Sequence, residues 1–596
     1  MFASLSKATA LAILVEVASA AAISSVTDSS IAGQSTSDVF PPAHTSVNSR
    51  LFPDEAEVGF PGPTPTGEEP AAAQTAPLYP YNTSPAKSFP LTAGQPHGAP
   101  ASGDNFDITR YWGNLSPWYS VSSADYGLPD ASPLIPEDCT INQMLLLYRH
   151  GARYPTSGAA PSVFAQKIAN ATAAGGFEVS GELEFLSDWT YKLGAELLTP
   201  FGRSQNFQLG VEYRQLYGEL LDNFTAQGAL PVFRTESQDR MVKTAENFAA
   251  GFFGVPEYLD QVNIEILVEN TTINNSGAPY DVCNNANVAS RGSIGSSVAA
   301  IFAQNAFNAT LARLNSEVST SVTDDMKYEL ITSQVSGALN FTPTDAIAML
   351  QLCSYETDAL GYSSFCNLFT QEDFLNYEYY FDLVNSRVVS PRKMALTMIK
   401  VFYYNNGPGS PVSAAQGKGF LEEWLARLAH TIPPADSALN ETFDNSTTYF
   451  PLNQSLYADA THEVVVLDTL TAFNFTALFN GPPLNYTLGN EHTNSFVASK
   501  IVPFATHFTT QIMTCPARNP TKQIRFLVND AVIPVHDSHP GCPDDSDGLC
   551  PFDTMLSVLQ ARAREIDFEY DCFANYTAVP GVNYNGRAPA AEKVKE

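Results

Sequence analysis

The stretch from Gln143 to Thr156 reads Gln-Met-Leu-Leu-Leu-Tyr-Arg-His-Gly-Ala-Arg-Tyr-Pro-Thr and constrains the fold more than any other. Met144 to Leu147 form a short apolar run, the pattern of a strand buried in a sheet. The run ends abruptly in Arg149, His150, Gly151 and Arg153. A strand that delivers two guanidiniums and an imidazole to its carboxyl end, with Gly151 letting the backbone turn, builds an anion pocket. Arginine offers forked donors that match phosphate oxygens and stays charged at any working pH. His150 held among them is poised as a nucleophile, because the arginines would hold an electrophilic phosphoryl group against it. The competing reading is a surface turn with incidental basic residues. The chain carries only 31 Lys and Arg in 596 residues, so such a cluster is rare by chance.

Against that base stand 62 Asp and Glu, a formal charge of -31 and a pI near 4.5. Such a chain repels nucleic acid and anionic membranes, so neither is expected as a partner. It also repels a phosphate substrate at neutral pH unless Arg is concentrated locally, and protonation at acid pH reduces that repulsion. Residues 1–20 read as a secretory signal: Lys7 leads, Ala8 to Val17 are apolar apart from Glu16, and Ala18-Ser19-Ala20 suits cleavage. No later segment reaches about 18 uninterrupted apolar residues. Asn-x-Ser/Thr sequons are dense, among them Asn114, Asn170, Asn223, Asn270, Asn308, Asn340, Asn440, Asn445, Asn474, Asn485 and Asn575. In an exported chain, secreted or held at the cell wall, they predict glycosylation. The eight cysteines are scattered, which in a secreted chain predicts disulfides of undetermined pairing.

Residues 21–104 are rich in Ser, Thr, Pro and Ala and predict a disordered stalk. One α/β domain is expected over 105–580, a mixed or parallel sheet flanked by helices, with a mostly helical second domain inserted at about 160–370. Residues 581–596 read as a mobile tail. Pro231-Val232-Phe233 repeats the opening design, a strand running into Arg234 and then a helix, while Arg240 reads as structural. Ile524 to Val535 reads as a hairpin turning at Asn529-Asp530. Two His-acid pairs occur: His462-Glu463, placed before an apolar helix, and His536-Asp537, placed after the hairpin. His536, His539 and Cys542 offer metal-ligand types, but a disulfide competes for the Cys.

Arg149-His150-Gly151-Ala152-Arg153-Tyr154-Pro155-Thr156 resembles the signature of the histidine acid phosphatases in its fungal phytase form, and the resemblance runs from about Phe106 to about Ala574. It implies a phosphate monoesterase with catalytic His150, His462 and Glu463 and phosphate-binding Arg149, Arg153, Arg234 and Thr156. No cofactor or metal is implied, because the arginines supply the charge. The family usually has Asp where Glu463 stands, which leaves Glu236 and Asp459 as fallback donors. His462-Glu463 is the preferred pair. Asn114 and Lys400 are expected in the substrate cleft. The resemblance proposes Cys139–Cys515, Cys283–Cys572, Cys353–Cys366 and Cys542–Cys550 as disulfides. Small phosphate monoesters, phytate included, are the expected partners of a monomer or weak oligomer. A phosphoglycerate-mutase-like phosphotransferase and an inactive phosphate-binding glycoprotein are the alternatives.

Overall fold

The apolar run lies within strand β1 (Thr140–Arg149), in the middle of the sheet. Its side chains alternate between two cores: Met144, Leu146 and Tyr148 pack on one side, Leu145 and Leu147 on the other. That is the period of two a strand must show when both faces are covered. The computed structural model describes residues 40–60, 69, 106–174, 176–319, 339–383, 385–387, 398–400, 402–433, 438–479 and 496–590. The expected signal segment and Asn485 lie outside them.

The other strands of the main sheet are β2 (Val232–Glu236), β3 (Asn263–Leu267), β4 (Leu456–Thr461), β5 (His507–Thr514), β6 (Lys522–Val528), β7 (Ala531–Val532) and β8 (Cys550–Pro551). The order is β7-β6-β5-β1-β4-β2-β3, with β8 against β6. β1, β4, β2 and β3 run parallel, while β5 and β6 are antiparallel to their neighbours. Arg149 lies opposite Thr461, so the residues that follow β1 and β4 meet at one carboxyl edge. The hairpin turns at Asn529 and Asp530, both at positive φ, as a tight two-residue turn requires.

Helices α1 (Ala160–Ala173), α2 (Pro200–Tyr217), α3 (Asp239–Phe253), α4 (Pro343–Leu360), α5 (Gln371–Leu383), α6 (Ser413–Ala429), α7 (Glu463–Ala472) and α8 (Phe552–Glu565) carry the rest of the argument. Leu209 and Tyr213 of α2 and Phe248 of α3 cover one face of β1. Trp424 of α6, Val466 and Leu470 of α7 and Leu559 of α8 belong to the core on the other. Pro200 opens α2 behind Thr199, whose hydroxyl accepts from the Gly202 N–H. A Cβ on Gly202 would lie 1.9 Å from the Ala152 carbonyl oxygen, so only glycine lets the helix start against the Arg-His-Gly turn.

Three expectations on domain limits change. The helical part comes in two pieces, near 160–190 and 289–383, because α2, β2, α3 and β3 return the chain to the sheet between them. Residues 40–59 of the expected stalk pack on the domain. Phe40 stacks on Phe253, Phe52 meets Tyr449 edge-on, and Glu55 pairs with Lys243 at 2.8 Å. The aromatics supply the burial that the surrounding Pro/Ser/Thr sequence lacks. The first part of the expected mobile tail is also held: Arg562 donates to Asn585 O (2.9 Å) and the Gly586 N–H to Pro408 O (3.0 Å). Cys139–Cys515, Cys283–Cys572, Cys353–Cys366 and Cys542–Cys550 are all bonded, in the pairing that the resemblance proposed.

Candidate active site

His150 is wholly buried at the end of β1. Its Nδ1 lies 2.9 Å from the Gly151 carbonyl oxygen, which can only accept, so Nδ1 carries the proton and Nε2 the lone pair. Burial first, then the charges of Arg149 and Arg240, hold the imidazole well below its usual value against the opposing pull of Glu463. An uncharged imidazole is the form that can attack phosphorus.

Arg149 donates through Nη1 to the Asn114 (2.5 Å) and Val502 (2.8 Å) carbonyls and lies 4.4 Å from the Phe504 ring centroid. Arg153 donates to the Tyr154 carbonyl at 3.0 Å. His462 occupies the N-cap of α7 and Glu463 its first turn. The rings of His150 and His462 are 5.7 Å apart, and His462 Nε2 lies 3.3 Å from Glu269 Oε1. Glu463 Oε2 is 3.5 Å from His150 Nε2 and 3.2 Å from Arg149 Nε. Burial alone would raise the Glu463 carboxyl, but Arg149, His150 and Arg153 outweigh it and hold it well below the carboxylate range. The N-terminus of α7, formed where β4 ends, adds its own partial positive charge to this edge.

His462-Glu463 therefore stands at His150, as preferred. His536 and Asp537 pair with each other at 3.2 Å on the surface, where the Asp537 side chain is 86% exposed. Cys542 is spent in its disulfide. Asp459 is buried between Arg234 and Arg427 and held down to about 2 by them despite its burial, so it keeps no proton to give. Glu236 accepts from Asn275, and burial next to Glu269 pushes its carboxyl well up.

Arg234 is a correction. Its Nε donates to Asp459 (2.7 Å), and Nη1 and Nη2 to Glu423 (3.1 and 2.5 Å). The reason is its position inside β2, directly beside Asp459 of β4, so its side chain stands out from the sheet towards α6 rather than off the strand end. Arg240, read from sequence as structural, is buried and donates to Glu196 at 3.0 Å. It lies in the first turn of α3, past the end of β2, close enough for its charge to act on His150, Arg153, His462 and Glu269. The signal that could have found it is its place after the strand, at a helix start, where side chains face the carboxyl edge.

Thr156 is partly exposed on the turn after Arg153, its carbonyl accepting from the Ala159 N–H. Asn114 lies at the site through its backbone, as the Arg149 acceptor. Its side chain is only 2% exposed, which excludes a glycan there despite the sequon. Lys400 ends a short strand (Met398–Lys400) paired with Asn385–Arg387, and its side chain lies outside the described residues. Lys167, the nearest base after the signature, is tied to Asp345 (2.6 Å) and the Asn340 carbonyl (2.5 Å).

A sheet whose parallel strands end in an uncharged imidazole, buried arginines and a carboxylate defines an α/β protein built to receive an anion. The chain belongs to the histidine phosphatase superfamily (branch 2), which it matches over residues 140–529. It is a phytase-like hydrolase by class. Phytase A of Neurospora crassa is 28% identical over 527 residues, 79% of this chain and 93% of the relative. Phytase A of Aspergillus oryzae is 29% identical over 472 residues, 76% and 88% respectively. The crystal structure of the phytase from D. castellii superimposes with a TM-score of 0.58 at 21% identity, covering 84% of this chain and 98% of that one. That likeness is one of fold.

Proposed function

We propose that this protein is a secreted acid phosphomonoesterase that accepts phytate among other esters and works through a phosphohistidine. The observation that carries the reading is His150 Nε2, a buried lone pair facing the Glu463 carboxyl at 3.5 Å with Arg149 alongside. Arg149, Arg153 and Arg240 hold the phosphoryl oxygens, and His462, kept protonated by Glu269 and the bound phosphoryl group together, donates to one of them. Nε2 attacks phosphorus in line. The ester P–O bond breaks, and Glu463 gives its proton to the leaving oxygen. Water then attacks the phosphohistidine, loses a proton to the Glu463 carboxylate, and frees phosphate and His150. A bound phosphoryl group takes over the arginine charge that keeps Glu463 ionised, which raises its carboxyl towards the acid working range. The four disulfides and the sequons support export. An assay at about pH 5 with a generic aryl phosphate tests the reading directly, and no phosphate release by the purified protein would refute it.

Glu463→Gln is expected to slow alkyl phosphates by about a hundredfold or more, because an alkoxide leaves poorly without a proton. Aryl phosphates, whose leaving oxygen is stable as an anion, should lose less than about tenfold. Equal losses on both substrates would take the donor role away from Glu463.

Substrate range follows from charge. A cleft specialised for a polyphosphate needs lysines beyond the catalytic arginines. Ser157 to Pro161 carries none, and Lys167 is committed to Asp345 and Asn340. Phytate and aryl phosphate should therefore differ in kcat/KM by less than about a hundredfold, roughly 2.7 kcal/mol of transition-state binding. Steady-state kinetics with both substrates decide this, and a larger preference for phytate would show that other cations line the cleft.

A further inference from the structure

The chain from Leu193 to Thr199 doubles back along the Arg-His-Gly turn. The Tyr154 N–H donates to Leu197 O (2.9 Å), the Glu196 N–H to Pro155 O (3.1 Å) and the Thr199 N–H to Ala152 O (2.9 Å), a short ladder that bridges Arg153 to Leu198. Glu196 sits in it at φ +68°, a left-handed conformation that a glutamate adopts only when its surroundings impose it. Its side chain is 2% exposed and both oxygens are engaged. Oε1 accepts from the Ser157 N–H at 2.9 Å, four residues beyond Arg153, and Oε2 accepts from Arg240 Nη1 at 3.0 Å.

Those two bonds join the parts of the anion pocket that come from different strands. Arg153 follows β1 and Arg240 follows β2, and each is buried within range of the other's charge. Burial and then Arg153 pull the Arg240 guanidinium down, while Glu196 and Glu269 oppose them. Glu196 acts on Arg153 in the same sense. Two buried like charges stay close only if a counter-charge is built in with them. Glu269 also faces His462, which leaves Glu196 as the carboxylate shared by the two arginines.

We propose that Glu196 is a positioning residue of the phosphate pocket: it pins Arg240 to the turn that carries Arg153, and its charge lets the two guanidiniums present their remaining donors to one phosphoryl group. It does not touch substrate. The inference rests on the reading of Arg240 as a phosphate ligand, and the experiment separates the two. Inorganic phosphate serves as a competitive inhibitor of aryl phosphate hydrolysis. Glu196→Gln keeps the side chain's size but loses its charge and one acceptor, and should raise the phosphate inhibition constant about tenfold with the melting temperature little changed. Glu196→Asp restores the charge with a shorter reach and should fall between, at about threefold. In an Arg240→Ala background, Glu196→Gln should add less than about twofold, because the partner is already gone. An unchanged inhibition constant in Glu196→Gln, beside a weakened one in Arg240→Ala, overturns the proposal. So do effects that multiply in the double variant. If Glu196→Gln does not fold, a wild-type constant in Glu196→Asp overturns it equally. Undiminished phosphate inhibition in Arg240→Ala would instead strike the underlying reading of that arginine.

Discussion

Replacing His150 by Ala is expected to cut turnover by about 10⁴-fold or more while leaving the fold intact. The size follows from the geometry. In the proposed reaction the buried His150 lone pair is the nucleophile, and among the described residues no second imidazole is placed to replace it. His462 lies 5.7 Å away ring to ring, and its Nε2 is already turned towards Glu269. Folding should survive because the hydrogen bond lost, to Gly151, is made within the turn itself and the backbone bonds of that turn remain. His150 N–H donates to Thr461 O (3.2 Å) and Ala505 N–H to His150 O (3.0 Å), and neither needs the ring. Phosphate release by wild-type and variant protein, followed beside their circular dichroism, checks both halves. Rapid acid-free quenching with a radiolabelled ester should trap label on wild-type protein and none on His150→Ala. Clean variant protein that retains turnover would end the phosphohistidine reading.

The second large effect divides two arginines that look alike in sequence. Arg240→Ala should lower kcat/KM by about 10²-fold or more with little change in melting temperature, because a guanidinium aimed at the phosphoryl group is removed. Arg234→Ala should do its damage in stability. Arg234 and Arg427 neutralise Asp459 and Glu423 in a buried cluster that also holds Asp444 and Glu265, whose carboxyls burial pushes up to about 8. Removing one cation leaves buried carboxylates uncompensated, a loss of about 3–5 kcal/mol. Thermal melts and kinetics on the two variants, run side by side, give opposite patterns if this division holds. An Arg234→Ala protein of normal stability and lowered phosphate affinity would return Arg234 to the site.

The motif at Arg149 to Thr156 was legible because strand, turn and ligands are contiguous there, and local sequence carries all three. Glu463 was legible for a related reason, since it directly follows a strand and opens an apolar helix. Sequence reading assigned the phosphate role to Arg234 and a structural one to Arg240, and local pattern could not test that choice, because both are Arg near the end of the same strand. The partner of Arg234 depends on the neighbouring strand: β2 lies beside β4, and Asp459 of β4 stands opposite Arg234 and accepts from it. The stalk and tail misled for another reason. Polar, Pro-rich composition describes the average segment, whereas Phe40, Phe52 and Asn585 dock on particular partners elsewhere in the chain.

By itself, then, the sequence determined the strand that ends in the imidazole, the α/β class, and the preferred His462-Glu463 pair. Each depends on residues adjacent in the chain, where backbone periodicity and turn chemistry leave few options. Tertiary structure decided that Arg234 is held by Asp459 and Glu423, that Glu196 ties Arg240 to the turn, that Lys167 is committed to α4, and that Asn114 is sealed inside. Those choices depend on strand order and on which buried charges find partners. Pairing energies between residues tens or hundreds of positions apart set them, and no local pattern records those energies.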